Sequence, residues 1–206
     1  MMDANYYLDI RVIESSDDTD LKLGHIRNQI YTVIHGAFRK LPAHYALALE
    51  ISDKLKAKQE QFEKKHGRSA KPNFDILRIF AEKQDELDEL IEAIKGHWKI
   101  RDYTVLGAAI SVPTAKISGW KSYRKFRIPT LKAERTRLSH QNEPLRDRRL
   151  KTAKGMPFFQ VVSSTGHGFT VIIDVQESEN AGYGLPDSYG LARKESPFAL
   201  PVFKEI

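Results

Sequence analysis

Residues 163–168 read SSTGHG: two serine hydroxyls, a threonine hydroxyl and the imidazole of His167, set with two glycines. Hydroxyl and imidazole groups hold and relay protons, so this segment could orient a reacting group. The same residue types are ordinary turn formers, and spacing alone favours a turn. The chain has seven histidines and no cysteine. None of the histidines forms an HExxH or His-x-Cys pattern, and the pairs His25/His35 and His44/His66 lack metal-ligand spacing, so no metal centre is indicated. Without cysteine there are no disulfides, no thiolate nucleophile and no Cys-ligated zinc or iron–sulfur site. Neither a GxGxxG nor a GxxxxGK[ST] loop occurs, so nucleotide-dependent chemistry and other cofactors have no support. His35 falls opposite Ile26 on a helical wheel, which predicts a solvated histidine off the core face.

Charge points to a partner class. The chain of 206 residues carries a net charge of +6, but residues 116–154 hold 13 Lys and Arg against 3 Asp and Glu, a net of +10. The rest is therefore at −4. A basic segment on a slightly acidic body suits a polyanion; a solvated, charge-rich linker is the plain alternative. No apolar run reaches the ~18 residues of a membrane span. The N-terminus MMDANYYLDI has no basic segment followed by an apolar core, so a cytoplasmic protein is expected.

The elements that must position these residues follow from periodicity. YYLDIRVI, 6–13, reads as a strand. The capping-rich SSDDTD follows, then a helix over 21–39 with Ile26, Ile30, Val33 and Ala37 on one face. Pro42 stops it. Strands are predicted over 45–51, 74–80 and 103–112, a short helix and loop over 52–72, and a helix over 82–95 with Leu87, Leu90, Ile91 and Ile94 as its stripe. The order β-α-β-β-α-β within residues 1–115 is the ferredoxin-like pattern, which also underlies a common RNA-recognition module. The third strand, FDILRIF, lacks that module's aromatic signature, so sheet-face stacking of bases is not indicated. Residues 116–206 form a second, basic part with helical pieces over 131–140 and 144–154, then a β-hairpin of FFQVV and FTVIIDV. The whole is read as α+β.

Several segments stand in one order: YYLDIRVI, IYTVIHGAF, FDILRIFAEKQDELDELI, GAAISVPTAKISGW, YRKFRIPTLKAERTRL, MPFF…SSTGHGF and the terminal YGL…PVF. In this the chain resembles the CRISPR-associated endoribonucleases of subtype I-F, which cut repeat RNA into guide RNAs. The resemblance covers nearly the whole chain, and the ordered set makes it specific. It implies a ferredoxin-like N-terminal domain and a basic C-terminal part that grips an RNA stem-loop. By resemblance the general base falls on His35. The active-site serine falls on Ser163, with Ser164 the alternative because the loop is one residue short. The tyrosine of the terminal YGL falls on Tyr189, with Tyr183 open because the triplet is duplicated. The RNA-contacting residues implied are Arg124, Lys132, Arg135, Arg137, Thr165 and Phe169, with Arg124 at a base edge and Phe169 stacked at the foot of the stem. There are departures. Thr136, His140 and Gln141 stand where the family's arginine-bearing helix has further basic residues, and Arg146, Arg148, Arg149 and Lys151 are candidates to compensate. Phe126 replaces the glutamine that accompanies the base-reading arginine, and residues 57–71 have no counterpart.

This resemblance implies a metal-independent transesterification in which the RNA 2′-hydroxyl attacks the neighbouring phosphorus. It also implies membership of an antiviral effector complex with other protein subunits. A non-catalytic RNA-binding scaffold would use the same basic region. A DNA-binding regulator is disfavoured, since no helix-turn-helix or zinc module is present.

Overall fold

The computed structural model describes residues 3–13, 22–70, 73–138, 145–162 and 166–203, with the backbone alone at 137–138. Strand β1 (Tyr6–Val12) leads to helix α1 (Leu23–Phe38), β2 (Ala46–Glu50), α2 (Asp53–His66), β3 (Ile76–Ala81), α3 (Gln84–Lys95), α4 (Trp98–Tyr103), β4 (Thr104–Leu106) and β5 (Ile110–Ser111). Then come β6 (Ile117–Phe126), α5 (Leu131–Leu138), α6 (Leu145–Ala153), β7 (Phe158–Val162), β8 (Gly168–Ser178) and β9 (Leu200–Phe203). The first sheet runs β2-β3-β1-β4, with β5 also on β1, and its described pairings are antiparallel. This is the expected ferredoxin-like order, with α2 inserted between the two strands of its hairpin. The second sheet runs β7-β8-β6-β9. The protein is α+β.

Alternation sets what each strand buries. In β1, Leu8, Ile10 and Val12 are buried, while Tyr7 and Asp9 look the other way onto β3 partners Phe80 and Arg78. That second face is covered: Phe203 of β9 meets Tyr7 edge-on at 4.8 Å, and the Arg78 guanidinium lies 4.4 Å from the Phe203 ring centroid. Every residue of β3 is consequently buried. The sheet therefore has no open platform at β3 on which bases could stack. Arg78 is 3 % exposed and pairs with Asp9 through two 2.7 Å hydrogen bonds, as a buried charge requires. Tyr123, Phe159, Val171, Ile173, Leu200 and Phe203 of the second sheet join the first sheet's core in one apolar cluster.

Several boundaries differ from the sequence reading. The strand expected over 103–112 is three pieces. Tyr103 ends α4, β4 and β5 pair separately with β1, and Gly107 between them donates its N–H to the Asp9 carbonyl at 2.9 Å. A Cβ at Gly107 would stand 3.0 Å from that oxygen, so a continuous strand of larger residues could not hug the edge in this way. Residues 117–126, taken as part of a basic segment with helical pieces, are β6, an inner strand of the second sheet. The segment 52–72 holds a 14-residue helix, α2, capped by the Ser52 hydroxyl and ended by Gly67 at φ 62°, and none of its residues is fully buried. The SSDDTD cluster lies outside the described residues.

Candidate active site and RNA-binding surface

Helix α1 is buried on two sides, which corrects the reading of His35 as solvated. Ile26, Ile30, Ile34 and Ala37 form one apolar face. A second stripe, Arg27, Tyr31, His35 and Phe38, repeats at i, i+4, i+8 and i+11. Its members are buried too. Gln160 of β7 donates its N–H to the Asn28 side chain at 3.1 Å, which docks the second sheet on this helix. Along the stripe the rings form a column. Phe159 stacks on Tyr31 at 3.8 Å, Tyr31 on His35 at 6.0 Å, and His35 on Tyr189 at 4.6 Å with 7° between planes. His35 is 9 % exposed, and its Nε2 is buried without a hydrogen-bond partner. Burial pushes its pKa below the usual 6.5, and Arg39 and Lys125 push the same way against the opposing charge of Asp187.

Tyr189 is placed by a tight turn. The Asp187 carboxylate accepts the N–H groups of Tyr189 at 2.9 Å and Leu191 at 3.0 Å, an Asx turn. The Gly190 carbonyl accepts from Leu47 N–H at 2.8 Å, and the Tyr31 hydroxyl donates to the Tyr189 carbonyl at 3.0 Å. Gly190 has φ 77°, and a Cβ there would stand 3.0 Å from both Leu47 Cβ and Phe38 Cε2. The second YGL triplet is thus pinned against α1 and β2. Tyr183 of the first triplet is 84 % exposed.

Strands β7 and β8 pair as a hairpin whose register ends at Val162 opposite Gly168. Ser163, Ser164 and Thr165 lie outside the described residues. Gly166, at φ 80°, and Phe169 bring the chain back. Phe169 meets the Tyr189 ring edge-on at 6.3 Å, so the hairpin's root stands beside the His35–Tyr189 stack.

By strand alternation Arg124 lies on the other face of the second sheet from its neighbours Tyr123 and Lys125. It donates to Gln176, which in turn donates to Asp174 at 2.7 Å. The structure does not bring Arg124 to His35. Lys132 and Arg135 are exposed on α5, whose start is capped by the Thr130 hydroxyl at 3.2 Å. The side chain of Arg137 lies outside the described residues, as do His140 and Gln141. Glu134, 7 % exposed, accepts the N–H groups of Leu145 at 2.6 Å and Arg146 at 3.1 Å, and so ties α5 to the start of α6. Arg146 and Arg149 donate to the carbonyls of Pro129 and Arg127, and Arg149 lies 5.1 Å from the Phe126 ring centroid. Two of the four cations expected to supplement α5 therefore also brace the connection between β6 and α5.

Three residues at the His35 cluster escaped the sequence reading. Tyr31 lies one turn before His35 on the same stripe. Asp187 shows the Asp-x-Tyr-Gly spacing of an Asx turn. Lys125 becomes visible as a core-face residue only once 117–126 is read as a strand. Among the described residues no three His, Asp or Glu side chains gather as a metal-binding group, and no helix is long and apolar enough to cross a membrane.

No curated protein sequence matches the chain. The family described as CRISPR-associated protein (Cas_Csy4) matches residues 7–203. That span includes α1 with His35, the hairpin and the Tyr189 turn. The chain belongs to the Cas_Csy4 family of CRISPR-associated proteins, endoribonucleases of repeat RNA.

Proposed function

We propose that this protein cleaves repeat RNA at the base of its stem-loop by attack of the 2′-hydroxyl on the adjacent phosphorus. His35 takes the hydroxyl proton on Nε2. The 2′-oxygen–phosphorus bond forms, the phosphorus–5′-oxygen bond breaks, and the products are a 2′,3′-cyclic phosphate and a 5′-hydroxyl. One observation carries this reading: a buried imidazole nitrogen with no partner, beside the root of a hydroxyl-bearing hairpin. A base must be unprotonated to act, and burial favours the neutral imidazole at pH 7. Ser163 or Ser164 holds the attacking hydroxyl, an orientation effect. Tyr189 fixes the imidazole by stacking, and Phe169 supports the bottom base pair. Because RNA supplies its own nucleophile, the step requires no metal-bound water.

Binding is a separate task. An A-form stem hides its base edges in a deep, narrow groove, so shape and phosphates dominate. Lys132, Arg135 and Arg137 on α5 follow the phosphates, Thr165 touches RNA near the cut, and Arg124 reads a guanine edge where the groove opens. The protein then remains on its product as a subunit of a cytoplasmic antiviral effector complex. The test is incubation with the hairpin repeat in EDTA and analysis of product ends. Cyclic phosphate and 5′-hydroxyl ends are expected. A need for divalent metal, or cleavage of a substrate with 2′-deoxy at the scissile nucleotide, would replace the internal nucleophile with water. Tight binding with no cleavage would favour the scaffold reading.

A further inference from the structure

Lys125 is a cation on the wrong face of its sheet. In β6 it follows Tyr123, 3 % exposed, on the core side, and it stands opposite Ile173, which is fully buried. Among the described residues no carboxylate stands within ion-pair distance of its Nζ. Its close neighbours are rings: the ammonium lies 4.6 Å from the Tyr189 centroid and 5.7 Å from that of Phe169. A half-buried ammonium loses hydration, and ring faces offset only part of that loss. Tyr189 is also the ring stacked on His35 at 4.6 Å, so imidazole and ammonium are at most about 9 Å apart. Both therefore border the same Tyr189 ring, near enough for one nucleotide's 2′-hydroxyl and its adjacent phosphate to meet the two groups together.

We propose that Lys125 is a further catalytic residue, whose ammonium meets a non-bridging oxygen of the scissile phosphate. This rests on the reading of His35 as base. As the 2′-oxygen–phosphorus bond forms and the proton passes to His35, negative charge grows on the non-bridging oxygens; Lys125 stabilises it and keeps its own protons. A preorganised cation in a site shielded from water acts on the transition state more than on the ground state. It has a second effect. The charged and titratable groups facing His35 are Arg39 and Tyr31 from α1, Asp187 and Tyr189 from the turn, and Lys125 from β6. Lys125 is one of two cations favouring the neutral imidazole.

The test compares wild type, Lys125→Met, Lys125→Arg and His35→Ala in single-turnover cleavage across pH, with affinity measured on the 2′-deoxy stem-loop. Methionine keeps the length of the stem without its charge. Lys125→Met should cut about 10²–10³-fold more slowly, the loss typical of one missing transition-state donor, and bind nearly as well. Its acid limb should move to higher pH, and Lys125→Arg should recover part of the rate. Cleavage by Lys125→Met at the wild-type rate with an unmoved acid limb would overturn the proposal. So would loss of affinity together with rate that arginine does not restore, which would make Lys125 a packing residue. A slow Lys125→Met beside a fast His35→Ala would sink the reading of His35 as base and keep Lys125.

Discussion

Replacing Gly190 by alanine tests how the Tyr189 turn is built. Two costs are expected. At φ 77° an alanine sits in the left-handed region, disfavoured by roughly 1–2 kcal/mol. Its Cβ also stands 3.0 Å from Leu47 Cβ and Phe38 Cε2 and 3.1 Å from the Leu47 nitrogen. The backbone nitrogen belongs to a paired strand and cannot retreat cheaply, so overpacking adds about 1–3 kcal/mol. The total, about 2–5 kcal/mol, corresponds to a melting point lower by roughly 4–20 °C for a protein of this size. Gly166 supplies the control: its φ is 80°, but a Cβ there meets nothing within 4 Å. Gly166→Ala should lose only the backbone part. Thermal unfolding of both variants separates the two costs, and cleavage below the melting transition shows whether displacing Tyr189 slows the reaction. Equal melting points for the two variants would refute the packing of this turn against Phe38 and Leu47.

His35→Ala should slow cleavage by roughly 10²–10⁴-fold, measured in single turnover, with stem-loop affinity little changed. The pH dependence has a definite sign. Because folding lowers the pKa of His35 below 6.5, the unfolded chain takes up the proton first as pH falls. This group's contribution to stability is full above about 6.5 and lost below it, so urea titrations of His35→Ala should show a weaker acid-side decline. Of Ser163→Ala and Ser164→Ala, one should cut slowly yet bind normally, and Ser163 is the expected one. Phe169→Ala should lose affinity instead, by about 1–3 kcal/mol if it stacks on a base; equal harmlessness of all three would reduce the hairpin loop to a turn. Charge reversal at Arg135 and Arg137 together should flatten the salt dependence of binding by about one unit per lost phosphate contact, and an unchanged slope would place the RNA elsewhere.

Much of the architecture was legible in the chain because local periodicity carries it. The alternation in YYLDIRVI and the 3.6-residue stripes of α1 and α3 are properties of neighbouring residues, and they determine the ferredoxin-like order. So is the pairing of FFQVV with FTVIIDV around SSTGHG. The ordered motifs marked His35, the hairpin and the duplicated YGL as the places to look. What they could not convey is what covers each surface. The wheel put His35 opposite Ile26, and that is correct; burial of that side comes from β7 and the Tyr189 turn, more than a hundred residues later. The same holds for the two YGL triplets, alike in sequence, of which one is pinned beneath Phe38 and Leu47 while the other leaves its tyrosine in solvent. Strand β6 hid within a run of charges because its lysines and arginines obscure the two-residue period, and only pairing with β8 and β9 gives that period a meaning. Once it is paired, Lys125 is seen to face the histidine and Arg124 to face away. Which of two adjacent cations stands near His35 is decided by the pleat of a sheet assembled from distant strands, and no local pattern of charge contains that information.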